Sequence, residues 1–168
     1  MVLSLGTAIV GILQLVIAII LAVVALYIGF SVLGKITKGI DEEKEIAKGN
    51  TAVGILVASV FIAIGIVVQS GVSGISVGIS QAMKAGITTA GGIGIIIVSI
   101  FQLVLGIVLA IAAIYLALNI LDKLTKGIDE FAELKKGNVA VALEMAGVII
   151  TVAIIIQSGV MGITAALI

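Results

Sequence analysis

The chain contains no cysteine, histidine, proline or tryptophan. Without cysteine and histidine it has no disulfides, thiol nucleophiles, imidazole bases or usual transition-metal ligands, so we expect neither a metal site nor another cofactor. Carboxylates, lysines and hydroxyls are the reactive groups that remain, and they form no constellation of acid, base and nucleophile within the apolar runs. The sequence therefore predicts no catalytic residue and no enzyme.

Charge is also scarce, because only 11% of the residues are charged while 62% are hydrophobic and the mean hydropathy is +1.46. Soluble domains are about a quarter charged. The net charge is zero, so no basic surface for nucleic acid is expected. This composition predicts an integral membrane protein whose first partner is the lipid bilayer.

The uncharged residues fall into four long runs, each exceeding the ~20 apolar residues that a helix needs to cross a bilayer. The runs cover residues 1–34, 49–83, 85–121 and 145–168. One transmembrane helix in each run gives four spans. The glycine-rich residues 70–92 lie beyond the second span, where tilted helix extensions and a re-entrant element are both open.

The sequence also repeats itself. Residues 1–80 align with residues 89–168 at a shift of 88 without a gap, and 36 of the 80 pairs are identical. Residues 81–88 form an outer connector. Because each repeat holds two spans, both repeats cross the membrane in the same direction. The predicted fold is an all-α membrane protein with four transmembrane helices, arranged as two tandem parallel-repeat helical hairpins.

Lysines are concentrated in the two loops inside the hairpins. The first loop, Lys35–Asn50, and the second loop, Asp122–Asn138, hold four lysines each, whereas the connector holds only Lys84. Since loops rich in Lys and Arg stay in the cytoplasm, both loops are predicted to be cytoplasmic and both termini outside. The expected location is the cell (plasma) membrane.

Each loop carries the signals of a short amphipathic helix between two spans. Asp41 is a predicted cap for a helix over Glu42–Lys48, Gly49 ends it, and Asn50 caps the next span. In the second loop, Phe131 and Leu134 give this helix an apolar side that suits a membrane surface, with a solvated charged turn as the alternative.

Small residues recur at helical spacing on single faces of the spans, where membrane helices usually pack against each other. We expect helix contacts there and a homo-oligomer. The stripe of the first span comprises Ala18, Ala22, Ala25 and Gly29, and its copy Gly106, Ala110, Ala113 and Ala117; the second spans carry Gly54, Ala58 and Gly65, copied as Ala142, Ala146 and Ala153.

Four glutamines lie at one predicted depth, about 30 Å from the loops at 1.5 Å per residue. They suggest an outer polar ring, which would serve either as hydrogen-bond clasps between helices or as a filter or binding ring. The residues are Gln14, Gln69, Gln102 and Gln157.

The repeats differ in one informative way, because Leu56 of the first becomes Glu144 of the second, the only charge inside a span. Glu144 is predicted to point away from the Ala142 stripe, toward lipid, the other hairpin or another subunit. With Asn119 and Asp122 it forms a candidate intramembrane polar site. The alternative is a carboxylate that snorkels toward the loops, about 9 Å away.

The segments Glu45–Val53 and Glu133–Leu143, with the later Gln69-Ser70 and Gln157-Ser158, resemble the YjfL-like family of prokaryotic membrane proteins, the domain of unknown function 350. The resemblance covers nearly the whole chain. It implies a four-span protein of two tandem units in a prokaryotic cell membrane, with no assigned role and no catalytic residues to carry over.

A second resemblance is to duplicated rotary-ATPase proteolipids, which also have four spans and one carboxylate in the fourth. Their carboxylate lies near the middle of the membrane, whereas Glu144 lies close to the loop. Two functions remain from different classes. One is a homo-oligomeric channel or transport-related protein, and the other is a structural scaffold that self-assembles through its small-residue faces.

Overall fold

The computed structural model describes residues 5–37, 39–86, 90–125 and 127–167, and across these ranges it contains helices and no strand. The all-α prediction is thus confirmed. The helices in chain order are α1 (Leu5–Ile36), α2 (Glu42–Ala47), α3 (Thr51–Ala85), α4 (Ala90–Leu124), α5 (Glu130–Lys135) and α6 (Val139–Leu167).

Within the described ranges, three helices are long and apolar enough to cross a membrane. Their candidate spans are Thr51–Ala82 in α3, Ala90–Lys123 in α4 and Val139–Ile163 in α6. Each exceeds the ~20 residues needed. Helix α1 contains a further apolar stretch, Leu15–Ser31, and the first of the four predicted spans falls on this helix.

Helix α3 is the centre of the bundle, packing against α1, α4 and α6, while α1 packs mainly against α3. The buried core follows α3 along its length and includes Val53, Leu56, Ala63 and Val67, each at most 1% exposed. Helix α1 therefore lies at the edge of the bundle, with much of its apolar surface uncovered.

Helix α2 begins where the sequence predicts and ends one residue earlier than predicted, at Ala47. The Asp41 carboxylate accepts from the Lys44 backbone N–H at 3.1 Å and so caps α2. Gly49 follows with a φ of +81°, a conformation that glycine adopts without a steric penalty. Asn50 Oδ1 then accepts from Val53 N at 3.3 Å and caps α3.

Helix α5 turns its apolar side inward. Phe131 and Leu134 are 6% and 0% exposed and belong to the main core. This short helix consequently lies against the bundle rather than with its apolar side on lipid. Burial of two large side chains explains the difference, since each gains more from a packed core than from a half-immersed surface.

At the end of the bundle opposite the loops, called the far end here, α3 stays helical through Ala85 and α4 begins at Ala90. Residues 70–85 are thus a helix extension. Two glycines of α3 admit side chains of α4 there, because a Cβ added to Gly71 would overlap Leu103 and one added to Gly78 would overlap Ser99. The close approach needs glycine at both positions.

Candidate functional site

Glu144 lies in the second turn of α6 and is exposed on the surface of the bundle. Its neighbours Ala142 and Met145 are 0% and 1% exposed, so the carboxylate points away from the core and does not face the other hairpin. Among the described residues, the structure records no hydrogen bond or ion pair for it. Lipid or another subunit is what remains for it to face.

The equivalent residue of the first repeat has the opposite environment. Leu56 is fully buried at 0% exposure in the core along α3. A carboxylate at Leu56 would need a partner or would lose its charge, whereas the exposed position of Glu144 admits an ionised group. The repeat therefore carries its one intramembrane charge at the copy that is uncovered within the single chain.

The other two members of the predicted polar cluster lie on α4. The Asn119 side chain donates to the Tyr115 carbonyl of its own helix at 2.7 Å. Asp122 lines a recess of about 290 Å³ at the loop end together with Asp129 and Lys135. Since Glu144 makes no recorded contact with either, a joint site of these three residues stays a prediction.

The glutamines have unlike environments. Gln69 is exposed, Gln157 is partly exposed, and Gln102 is only 5% exposed, with neither of its amide atoms hydrogen-bonded within the described part of the chain. The Gln14 side chain lies outside the described residues. Burying an amide without a partner costs about 1–3 kcal/mol, which marks Gln102 as a site where a further group is needed.

Two of these glutamines also lie at different levels of the bundle. A Cβ on Gly106 of α4 would lie 2.9 Å from Val160 Cγ2 of α6, which aligns the two helices. Gln102 is four residues from Gly106 toward the far end, and Gln157 is three residues from Val160 toward the loops. At 1.5 Å per residue the two amides are about 10 Å apart along the bundle, and the outer ring stays a prediction.

The small-residue stripe of the first spans runs along helix contacts. A Cβ on Gly29 would overlap Ile64 Cδ1 of α3, and Ala25 and Ala110 are 1% and 3% exposed. Ala22, Ala113 and Ala117 are partly exposed, and the Ala18 side chain lies outside the described residues.

The small-residue stripe of the second spans differs in burial between the two repeats. Ala142 and Ala153 of α6 are both 0% exposed. Their counterparts in the first repeat, Gly54 and Gly65, have nothing within 4 Å of an added Cβ, and Gly65 is exposed. The same face is therefore packed in one repeat and open in the other.

A contact between a threonine and a buried glutamate in each loop was not foreseen from the sequence. The Thr37 hydroxyl contacts the Glu42 carboxylate, and the Thr125 hydroxyl contacts Glu130. Glu42 and Glu130 are 8% and 1% exposed, and Glu130 Oε2 has no hydrogen-bond partner among the described residues. The sequence signal was present as a threonine five residues before a glutamate in both loops.

Ion pairs occur in the same two loops. Lys48 Nζ lies 2.8 Å from Glu45 Oε1, and Asn50 Nδ2 donates to Glu45 Oε2 at 3.0 Å. Both contacts favour the ionised form, Lys48 more than Asn50, so the pKa of Glu45 is lowered. In the second loop the hydrogen bond from Asn138, followed by that from Lys136, lowers the pKa of Glu133.

The described residues contain no group of three or more acidic side chains placed to hold a metal ion. What the geometry offers instead is an all-helical bundle with apolar spans, one lone carboxylate on its outer surface and one buried amide without a partner. These features are those of a membrane-embedded helical protein.

The family follows from the sequence comparison. The family model described as Domain of Unknown Function (DUF350) matches residues 6–108 and again residues 98–168, and the chain belongs to this family in two tandem copies. This confirms the resemblance drawn from the segments Glu45–Val53 and Glu133–Leu143. No curated protein and no solved structure matched the chain.

Proposed function

We propose that this chain is a homo-oligomeric channel or transport-related protein of a prokaryotic cell membrane, in which a small cation passes Glu144. The observation that carries the proposal is the exposure of this carboxylate, without a partner among the described residues, on a helix that holds no other charged residue. Ionisable residues inside membrane spans mark ion and proton pathways more often than structural positions.

The free-energy cost of placing a charged carboxylate in the membrane is compatible with the same proposal. A carboxylate facing lipid at the centre of a helix costs about 2.5–3.5 kcal/mol, and Glu144 is only about 9 Å beyond the cap Asn138. The cost is smaller at this depth and is removed by contact with water. Because acidic side chains line cation pores, the favoured species is a cation.

Helix α1 completes the proposed bundle as the fourth span, which gives each repeat one hairpin. The two lysine-rich loops then share the cytoplasmic side. Supporting this arrangement, α2 and α5 occupy residues 42–47 and 130–135, and α3 and α6 begin at residues 51 and 139, all at the shift of 88 seen in the sequence.

Cation flux into liposomes that contain the purified protein tests the channel. Glu144→Leu, which installs the residue of the first repeat, should abolish the flux, and Glu144→Asp should retain most of it. Glu43→Gln, a change at an exposed loop acid, is the matched control and should leave the flux unchanged. Absence of flux from the unmodified protein, or equal flux through Glu144→Leu, would overturn the proposal.

A structural scaffold is the second candidate, favoured by the open apolar surface of α1 and α6, where Leu15 and Ile155 are 60% and 64% exposed. A scaffold assembles through such faces without conducting ions. Large regular arrays after mild extraction, combined with no flux, would favour the scaffold. Uniform small particles that conduct would exclude it.

A further inference from the structure

One close helix contact between the two repeats forms once within the chain, although the repeated sequence contains its residue types twice. Leu103 of α4 packs onto Gly71 of α3 so closely that a Cβ on this glycine would overlap Leu103 Cδ1. Leu103 is 0% exposed, and Gly71 is buried. The half of α3 nearest the far end is thereby covered by α4, the first long helix of the second repeat.

The same two residue types recur at the equivalent positions without a partner. Gly159 of α6 corresponds to Gly71, and Leu15 of α1 corresponds to Leu103. Gly159 is exposed with nothing within 4 Å of an added Cβ, and Leu15 is 60% exposed. The chain therefore carries the two halves of a second such contact, one on α6 and one on α1, and both are uncovered.

The difference continues along the helices. On α3, Leu56, Ala63 and Val67 are at most 1% exposed, whereas all their equivalents on α6 are exposed. We name this surface the forward face; it comprises Leu56, Ala63, Val67 and Gly71 in the first repeat and Glu144, Thr151, Ile155 and Gly159 in the second.

The complementary surface shows the reverse pattern. Ala142, Ala146 and Ala153 of α6 are 0%, 7% and 0% exposed, while their equivalents on α3 are open or partly open. We name this surface the receiving face; it comprises Ala142, Ala146, Ala153 and Leu103 in the second repeat and Gly54, Ala58, Gly65 and Leu15 in the first.

We propose that a second copy of this chain docks head to tail, with the forward face of α6 in one copy against the receiving face of α1 and α3 in the next. The interface would repeat the one already formed between the two repeats, with Gly159 against Leu15 in place of Gly71 against Leu103. Small residues at such faces let membrane helices approach closely. A head-to-tail interface that closes on itself gives a ring.

Docking would change the surroundings of Glu144, which lies on the forward face. In the assembly the carboxylate would face the subunit boundary instead of lipid, so the proposed cation path is incomplete in a single copy. This inference deepens the proposed function and rests on its oligomeric part, but it makes its own prediction about which residues meet.

Disulfide crosslinking tests the interface directly, because the natural chain contains no cysteine. The Cβ position of Gly71 lies 3.1 Å from Leu103 Cβ, close to the 3.5–4.5 Å typical of disulfides. Gly71→Cys with Leu103→Cys is thus the control and should crosslink within one chain. Leu15→Cys with Gly159→Cys, oxidised in native membranes, should instead yield multiples of the 16.9 kDa chain.

Single variants separate the possible geometries. Leu15→Cys and Gly159→Cys carried on two differently tagged chains should crosslink to each other on coexpression, and neither should crosslink to itself. Self-crosslinking of Gly159→Cys alone would indicate a two-fold interface and overturn the proposal. So would the absence of the Leu15 to Gly159 crosslink when the control pair reacts.

A second measurement does not depend on disulfide geometry. Gly159→Leu should shift the protein from oligomer to monomer in mild detergent while helicity is retained, and Leu116→Phe, at a 58% exposed site on α4 outside both faces, should not. An unchanged oligomer in Gly159→Leu would contradict the inference. Crosslinks without ion flux would leave the assembly standing and remove the channel, whereas flux without crosslinks would remove only this assembly.

Discussion

Asn50 joins the two repeats at the loop end, where its Nδ2 donates a hydrogen bond of 2.9 Å to the backbone carbonyl of Leu134 in α5. Its Oδ1 at the same time caps α3 by accepting from Val53 N. The equivalent Asn138 donates to Glu133 of its own repeat at 2.8 Å. One asparagine therefore has a role between repeats and the other a local role.

We expect Asn50→Asp to destabilise the protein more than Asn138→Asp. Aspartate keeps the capping oxygen in both variants, but at position 50 it loses the donor to Leu134 and places a charge near its carbonyl. Loss of the bond should cost about 1–3 kcal/mol. Unfolding of both purified variants in detergent measures the difference, and equal losses would show that the bond between repeats contributes little.

The close contact of Gly29 with Ile64 predicts one destabilising substitution and a second substitution that compensates for it. Gly29→Ala should destabilise the protein by about 1–3 kcal/mol through overpacking, because its Cβ would overlap Ile64 Cδ1. The second repeat carries Ala117 and Val152 at these positions. Adding Ile64→Val to Gly29→Ala should therefore recover most of the loss.

A double-mutant cycle measures this coupling between the two positions. Gly94→Ala is the control, because nothing lies within 4 Å of its added Cβ, and it should change stability little. If the losses of Gly29→Ala and Ile64→Val simply add, the close contact between α1 and α3 is not formed.

Thr125 holds the buried Glu130 carboxylate, and its removal should be costly. Thr125→Val leaves this carboxylate without its hydroxyl contact while Oε2 already has no partner in the described part of the chain. We expect a loss of about 1–3 kcal/mol, with Thr125→Ser close to the natural protein. Thr51→Val is the control at an exposed threonine whose repeat equivalent is Val139; a similar loss there would refute the specific role of Thr125.

Acid should weaken the loops through Glu45 and Glu133. Their pKa values are lowered below the ordinary glutamate value of 4.5. The ionised groups therefore stabilise the fold fully above that value, and this contribution is lost as pH falls through the lower pKa of the folded state. The apparent melting temperature should thus decrease below about pH 4.5. The double variant Glu45→Gln and Glu133→Gln should show a flatter decrease, and Glu43→Gln should follow the natural protein.

The proposed topology predicts which positions react from outside the cell. Glu43→Cys lies in the first loop, and Ser80→Cys is exposed near the far end of α3. An impermeant maleimide should label Ser80→Cys in intact cells and Glu43→Cys only after permeabilisation, with the cysteine-free natural chain as the blank. The reverse pattern would place both loops outside.

Local features were predictable because they depend on residues a few positions apart. The caps Asp41 and Asn50 and the end of α2 at the loop glycine follow from side chains next to the backbone groups that they satisfy. The buried Glu42 and Glu130 were missed for the opposite reason. Charged side chains in a loop normally face solvent, and the threonine five residues before each glutamate does not by itself indicate that the bundle covers the carboxylate.

By itself the sequence determined the apolar composition that requires a membrane, the helical class and the tandem repeat. Only the tertiary structure decided which copy of each face is covered. Gly71 and Gly159 are identical in type, as are Leu15 and Leu103, yet one member of each pair is buried and the other exposed. Burial depends on what lies beside a residue in space. Helix α3 contacts α1 of its own repeat and both α4 and α6 of the other, whereas α6 and α1 each have one face that no described residue covers.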